Sequence, residues 1–369
     1  NEDYNILFKS PTGDESQAQI EAFDDTWHWT DAAERAFDEV IHSGNSDAAE
    51  MLRALRAFLK ENDMMAYLTM MAVRLIELHR ILKPTGSLYL HCDPTASHYL
   101  KLMLDSIFGA RNFRREIVWR SGWVSGFKTR AKNWIRNHDT ILYYLKDSKN
   151  PLTFNKEYIP HHENYQRRGG GENSLGIAID DVWDDPKLYS PNIKSFSKEK
   201  LGYPTQKPVA LLERILKASS NEGDLVLDPF CGCGTTIHAA EKLNRKWIGI
   251  DITHLAIGLI RRRLVDAFPQ AEFEVQGVPK DVGGARELAA QDKHQFQLWA
   301  LSMIEAQPFK GGRKGADGGV DGYLYFKPDG KTTEKVVVSV KGGEHVDVKM
   351  IRDLIATVDR ERAKLGVFL

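Results

Sequence analysis

Residues 223–252 constrain this chain more than any other stretch. Asp224-Leu225-Val226-Leu227 reads as a short buried strand, and Asp228-Pro229-Phe230-Cys231-Gly232-Cys233-Gly234-Thr235-Thr236 as a glycine-rich turn. A helix over 237–243 follows, then a strand over 247–251 that ends on Asp251. Strand, glycine turn, helix and a second strand closing on an acid form a Rossmann-type half. The glycines let backbone approach a ligand, and the acid is placed to hold ribose hydroxyls. Gly232 precedes Asp251 by 19 residues, against the expected spacing of about 20. No Gly-Lys-Ser/Thr follows, which excludes a Walker-type triphosphate site. Ile237 stands where a dinucleotide fingerprint has its third glycine, which argues against a nicotinamide cofactor. Cys231 and Cys233 read as small loop residues, because no third thiolate lies nearby to complete a metal site.

Upstream, Tyr203-Pro204-Thr205-Gln206-Lys207-Pro208 leads into an amphipathic helix over 209–218. Nearer the start, a helical region spans about 46–82, with Ser46 as N-cap and Met51, Leu55, Phe58 and Leu59 at helical spacing. Lys83-Pro84-Thr85-Gly86 ends it, a strand occupies 87–92, and a helix over 98–108 is closed by Gly109. Alternating helix and strand indicates an α/β architecture. A length of 369 residues suggests two or three domains at about 150 residues each.

Lys plus Arg number 50 and Asp plus Glu 51, but that balance hides a local bias. Between 111 and 136 the basic residues are Arg111, Arg114, Arg115, Arg120, Lys128, Arg130, Lys132 and Arg136, with Glu116 the sole acid. Trp119, Trp123, Phe127 and Trp134 are interleaved among them. Positive charge neutralises phosphates and aromatic faces take displaced bases, so this segment reads as a nucleic-acid groove. Arg167 and Arg168, beside Gly169-Gly170-Gly171, form a second basic loop. The nearby His161-His162-Glu163 reads as a solvent-exposed cluster rather than a metal site. No apolar run reaches the roughly 18 residues of a membrane span; the best candidate, over 67–76, is broken by Arg74. Three cysteines and no signal peptide point to a reducing cytoplasm.

Thr205-Gln206-Lys207-Pro208, a helix, Asp228-Pro229-Phe230-x-Gly232-x-Gly234-Thr235-Thr236 and a strand ending in Asp251 together resemble the amino-methylating DNA methyltransferases of the permuted β type. The likeness covers about residues 1–265, including Leu88-Tyr89-Leu90-His91-Cys92-Asp93. It implies a Rossmann-like α/β sheet that binds S-adenosylmethionine and acts on double-stranded DNA. Carried over by position, Asp228, Phe230, Gly232, Gly234 and Thr235 contact the donor, Thr205 and Lys207 close over it, and Asp251 takes the ribose. Arg114, Arg115, Trp119, Arg120, Lys128, Arg130, Arg167 and Arg168 are the expected DNA contacts. Phe23-Asp24-Asp25-Thr26-Trp27 and His91-Cys92-Asp93-Pro94 lie nearer the adenine-specific members, with cytosine left open.

In that family an Asp/Asn/Ser-Pro-Pro-Tyr/Phe tetrapeptide accepts hydrogen bonds from the target amine and stacks on the flipped base, offsetting a flipping cost of a few kcal/mol. No Pro-Pro pair occurs in these 369 residues. Asp93-Pro94-Thr95-Ala96 lacks the second proline and the ring, so Asp93 reads as a strand-end residue. The chain starts at Asn1 without Met and stops inside the apolar run 366–369. The expectation is a piece of a longer protein whose tetrapeptide lies upstream, inactive by itself in methyl transfer.

After a linker near 278–284 come a helix over 295–304, Gly315-Ala316-Asp317-Gly318-Gly319-Val320-Asp321-Gly322, a strand over 323–326, a turn at Pro328-Asp329-Gly330 and a strand over 335–341. Alternation puts Ser339 and Lys341 on one strand face and Val336, Val338 and Val340 on the core face. The hairpin brings Asp321 towards Lys341. An acid on one strand and x-x-Lys on the next resembles the Mrr-like restriction endonucleases of the PD-(D/E)xK class. The resemblance implies a smaller α/β domain, Asp321 as ligand of a divalent metal such as Mg²⁺, and Lys341 activating water. Ser339 stands where Glu or Gln is expected, and a hydroxyl is a poorer Mg²⁺ ligand than a carboxylate. Glu305 and Glu344 are the candidate substitutes.

The expected organisation is therefore a methyltransferase domain over 1–275, with target recognition and DNA contact in about 111–200 and the cofactor half in 201–265. An incomplete endonuclease-like domain follows over 285–369. The leading reading is a DNA methyltransferase of a restriction–modification system, with a second copy or a restriction subunit as further partners. Two readings compete with it. One is a DNA-binding module with a decayed methyltransferase fold, and the other makes the metal-dependent endonuclease the main activity.

Overall fold

A computed structural model of the chain describes residues 28–122, 132–161, 175–189, 199, 201, 203, 205–304, 306–309, 318–328, 332–343 and 347–369. Expected features at Phe23-Asp24-Asp25-Thr26-Trp27, Trp123, Phe127, Lys128, Arg130, Arg167, Arg168, Glu305, Asp317 and Glu344 lie outside these residues. The chain divides into two compact units, one of residues 1–24, 194–209 and 225–369, the other of residues 25–193 and 210–224.

The second unit opens with helices α1 (Asp31–Ile41), α2 (Ser46–Leu59) and α3 (Asp63–Ile81). The single helix expected over 46–82 is thus two. Lys60 takes a left-handed φ of 62°, and Asn62 restarts the helix by accepting from the Met65 amide. The first N-cap is Asn45, not Ser46, since the Asn45 side chain accepts from the Ala48 amide. Strand β1 (Ser87–Cys92) and helix α4 (Pro94–Phe108) follow. Asp93 caps α4 by accepting from the Thr95 and Ala96 amides, so the helix starts a turn earlier than expected. Asp93 therefore has a structural role at the end of β1. Strands β2 (Phe113–Arg120), β3 (His138–Leu145), β4 (Tyr158–Ile159), β5 (Ile177–Ala178) and β6 (Val182–Trp183) follow among the described residues, and helix α5 (Val209–Ser219) packs Leu211 against the sheet.

The sheet order is β1-β3-β2-β6, antiparallel except for the β2–β6 pair. Leu52, Met65, Leu68, Leu75, Leu100 and Leu104 form a helical core whose edge meets Leu142 and Tyr144 of the sheet. At the end of β3, Asp139 accepts from Arg136 and pairs with His91 at 3.1 Å. Burial opposes its charge, but the His91 and Arg136 bonds outweigh it and hold Asp139 down at about 2.

In the other unit, β7 (Leu225–Asp228), α6 (Thr235–Lys242), β8 (Lys246–Gly249) and α7 (His254–Ala267) succeed one another, and β7 pairs with β8 in parallel. Ile237 is fully buried against Ile260 and Leu264. The glycine absent from α6 is supplied by the strand: a Cβ on Gly249 would lie 2.9 Å from the Ile237 side chain. Helix α8 (Val282–Gln291) begins inside the segment expected to be a linker, because Asp281 caps it. Helix α9 (Lys293–Met303), strands β9 (Gln307–Pro308), β10 (Gly322–Phe326) and β11 (Glu334–Ser339), helix α10 (Val348–Arg360) and strand β12 (Leu365–Phe368) follow. Their sheet order is β12-β11-β10-β9. The one-sided burial expected for β11 is not observed. Val338 and Val340 pack on Ala300 and Leu301 of α9, while Val337 packs on Leu354 of α10. An interior strand covered on both faces buries both sets, Ser339 included. Among the described residues no helix is long and apolar enough to cross a membrane.

Candidate cofactor and nucleic-acid sites

Asp228 and Asp251 stand at the carboxyl ends of the parallel pair β7–β8, the edge at which open α/β sheets take ligands. Gly232 and Gly234 have φ of 49° and 74°, which a side chain rarely adopts. A Cβ on Gly234 would sit 2.6 Å from Ile260, and one on Gly232 would meet the Tyr203 ring at 3.1 Å. These two glycines therefore bring the turn down onto α7 and onto the segment before Thr205.

Asp251 braces this turn. Its Oδ2 accepts from the Gly232 amide at 2.9 Å, and its Oδ1 accepts from the Thr253 amide at 2.9 Å and hydroxyl at 3.0 Å. A carboxylate offers about four acceptor sites, so most of this one is already engaged in holding the turn. Asp228 accepts from the Phe230 amide, and burial holds it above the usual carboxylate range. The Phe230 ring is about half exposed. Gly234 precedes α6 without a side-chain cap, so the first amides of α6 are an anion-attracting end.

Thr205 is exposed, and Lys207 donates from Nζ to the Thr205 carbonyl at 2.9 Å. Buried Gln206 anchors the segment, accepting from the Leu201 amide at 2.9 Å and donating to the Glu199 carbonyl. The Thr235 hydroxyl donates to the Lys207 carbonyl at 3.2 Å. All eight residues expected at the donor site, from Thr205 to Asp251, fall in one compact unit, where hydrogen bonds join Lys207 to Thr205 and Thr235, and Gly232 to Asp251.

Sequence reasoning missed Arg263, which lies on α7 with 8% exposure and donates to the Cys233 carbonyl and the Thr235 hydroxyl, both at 3.2 Å. Burial lowers it from the usual arginine value. Nothing in Arg261-Arg262-Arg263 marks the third arginine as the buried one except its place three residues after Ile260, on the same helix face. Cys92, Cys231 and Cys233 are free and buried; burial pushes the Cys92 thiol up to about 12.

The basic segment is less uniform than expected. Trp119 is 1% exposed and its indole donates to the Leu188 carbonyl, so it is a core residue rather than a platform for a base. The parallel pairing of Val118 with Val182 brings an acidic stretch alongside β2. Arg120 consequently bonds Asp184 at 2.6 Å, and Arg115 lies 3.8 Å from Asp181. Arg114 is half-buried. Trp134, by contrast, is 98% exposed.

In the C-terminal part, Asp321 is buried and its Oδ2 accepts from the Val340 amide at 2.7 Å, with Lys341 Nζ 3.8 Å away. The hairpin does bring the two together. Among the described residues no three His, Cys, Asp or Glu side chains converge as a metal site.

Parallel strands with acids at their carboxyl ends, a glycine turn between them and an uncapped helix behind it form the kind of edge at which open α/β sheets take ligands. Residues 17–261 match the DNA methylase family, and the chain belongs to it. Residues 288–369 match a restriction endonuclease family. The chain is 34% identical over 213 residues to the Type II methyltransferase M.HpaI of Haemophilus parainfluenzae, covering 56% of this chain and 63% of that protein. It is 34% identical over 202 residues to the Type II methyltransferase M.BamHI of Bacillus amyloliquefaciens, covering 51% and 43%. The DNA adenine methyltransferase YhdJ of Escherichia coli (strain K12) is 34% identical over 215 residues, covering 55% and 69%. The match to the first two thus spans less than two thirds of each relative.

Proposed function

We propose that the chain serves S-adenosylmethionine-dependent methylation of DNA at the exocyclic amine of a flipped base, adenine first and cytosine second. The adenine choice follows the likeness to YhdJ. The observation that carries the reading is the assembly of the Thr205–Lys207 segment, the glycine turn and Asp251 around one edge of β7–β8. When bound, the donor supplies a methyl group on a sulfonium. The protein's own groups suit the rest of that molecule. Phe230 offers a ring face for its base, Asp251 an acceptor for ribose, and Lys207 with the α6 N-terminus positive potential for its carboxylate. The proposed setting is the cytoplasm, with double-stranded DNA as substrate and with a second copy or a restriction subunit as further partners. The proposed organisation remains a methyltransferase domain over 1–275 and an endonuclease-like domain over 285–369.

Because no Pro-Pro pair is present in these residues, binding rather than turnover is the informative readout. Isothermal titration with S-adenosylmethionine and with its demethylated product is expected to give saturable, one-to-one binding of both. Folded protein that binds neither overturns the reading.

The 3.8 Å approach of Lys341 to Asp321 supports a second activity, Mg²⁺-dependent phosphodiester cleavage, with Asp321 a ligand and Lys341 orienting water. Mg²⁺ requires more oxygen ligands than Asp321 and Ser339 provide. Glu305 and Glu344, which lie outside the described residues, are the candidates for the remaining ligands. In nicking assays with Mg²⁺, Asp321→Ala and Lys341→Ala are each expected to lose at least about tenfold in rate. Equal nicking by all three proteins removes the endonuclease reading.

A further inference from the structure

The Thr235 hydroxyl is largely engaged within the protein itself. It has one proton, which it donates to the Lys207 carbonyl, and it accepts from Arg263 Nη1, each at 3.2 Å. The Cys233 thiol lies a further 3.8 Å away. A threonine hydroxyl has one donor and two acceptor positions, so its proton and one acceptor position are already engaged within the protein and it has no proton left to donate to a ligand. It is also only 6% exposed. What it does is connect: α7 on one side, the segment carrying Thr205 and Lys207 on the other, and the glycine turn between.

Arg263 serves the same junction twice, since its Nη1 also meets the Cys233 carbonyl inside the turn. A turn carbonyl buried under a helix needs a partner, and here an arginine reaching up from that helix supplies it. Ile260, one helical turn earlier on the same face, seats Gly234. A single face of α7 therefore holds the turn by one apolar and one charged contact.

We propose that Arg263, the Thr235 hydroxyl and the Lys207 carbonyl form a latch that fixes the Thr205–Lys207 strap against the glycine turn, with Arg263 a positioning residue for donor binding. The proposal rests on the donor reading above, and it revises the role implied for Thr235, whose side chain acts through the strap instead of touching the donor. Thr235 still contributes its backbone amide at the start of α6.

The test is a double-mutant cycle read by isothermal titration with S-adenosylmethionine. Thr235→Val and Arg263→Met are each expected to weaken binding about tenfold, and the double variant no more than either alone, because both break one unit. Thr235→Ser, which restores the hydroxyl, is expected to recover most of the affinity, and Arg263→Lys part of it. Independent, additive losses overturn the latch, as does a Thr235→Val protein that binds like the wild type. Hydrogen exchange gives a donor-free reading that separates the two proposals and needs no Arg263 variant to fold. The amides of Gln206 and Val209 are expected to exchange at least about tenfold faster in Thr235→Val than in the wild type. Equal rates refute the latch even if the donor binds; faster rates in a protein that never binds donor uphold the latch and sink only the donor reading.

Discussion

Asp251→Ala is expected to lower affinity for S-adenosylmethionine by about 100-fold, equivalent to about 2.7 kcal/mol. The carboxylate accepts three hydrogen bonds, one from the Gly232 amide and two from Thr253. Bonds to a charged acceptor contribute about 1.5–3 kcal/mol each. Removing it takes from the Gly232 amide the partner that helps hold its positive φ, and it takes away the proposed ribose acceptor at the same time. Thr253 still caps α7 through the Ala256 amide, so the helix itself survives. Asp251→Asn keeps one acceptor oxygen in place and is expected to fall between the two. Titration calorimetry beside a thermal melt makes the comparison. Wild-type affinity in folded Asp251→Ala would remove Asp251 from the site.

Two tryptophans of the basic segment are expected to separate cleanly. Trp119 is buried and hydrogen-bonded to Leu188, so Trp119→Ala should cost about 3–5 kcal/mol of stability. Trp134 is almost fully exposed, and Trp134→Ala should change stability by no more than about 0.5 kcal/mol. A solvent-exposed indole beside Lys132 and Arg136 is instead suited to stack on an unpaired base, an interaction of about 1–3 kcal/mol. DNA affinity is therefore expected to drop about 5- to 150-fold in Trp134→Ala. Denaturant melts and fluorescence anisotropy with a duplex carrying a mismatched base measure the two effects. Unchanged DNA binding by Trp134→Ala would end its role as a platform.

The contrast shows why the basic segment was only partly readable. Composition between 111 and 136 correctly marked charge and aromatics. The burial of Trp119 accompanies the β2–β6 pairing, a contact between residues more than sixty positions apart. The same pairing neutralises Arg120 with Asp184 and places Asp181 near Arg115. The cofactor turn was far more legible, because its elements are consecutive and its spacing is local. The helix break at Lys60 was missed although Lys60-Glu61-Asn62-Asp63 interrupts the apolar pattern and Asn62 is a capping residue. The linker expected near 278–284 hid the cap at Asp281.

By itself, then, the sequence determined the order strand, glycine turn, helix, strand, the exclusion of a triphosphate site, and the placing of Asp321 just before β10 and Lys341 just after β11. These follow from short-range spacing, where backbone geometry leaves few choices. Tertiary structure alone decided that Gly249 makes room for Ile237, that Asp251 spends most of its acceptors on the turn, and that β11 is buried on both faces. It alone selected Arg263 from three adjacent arginines and set it beneath the glycine turn. Burial and hydrogen-bond partners are properties of what packs against a residue, and those neighbours come from distant parts of the chain.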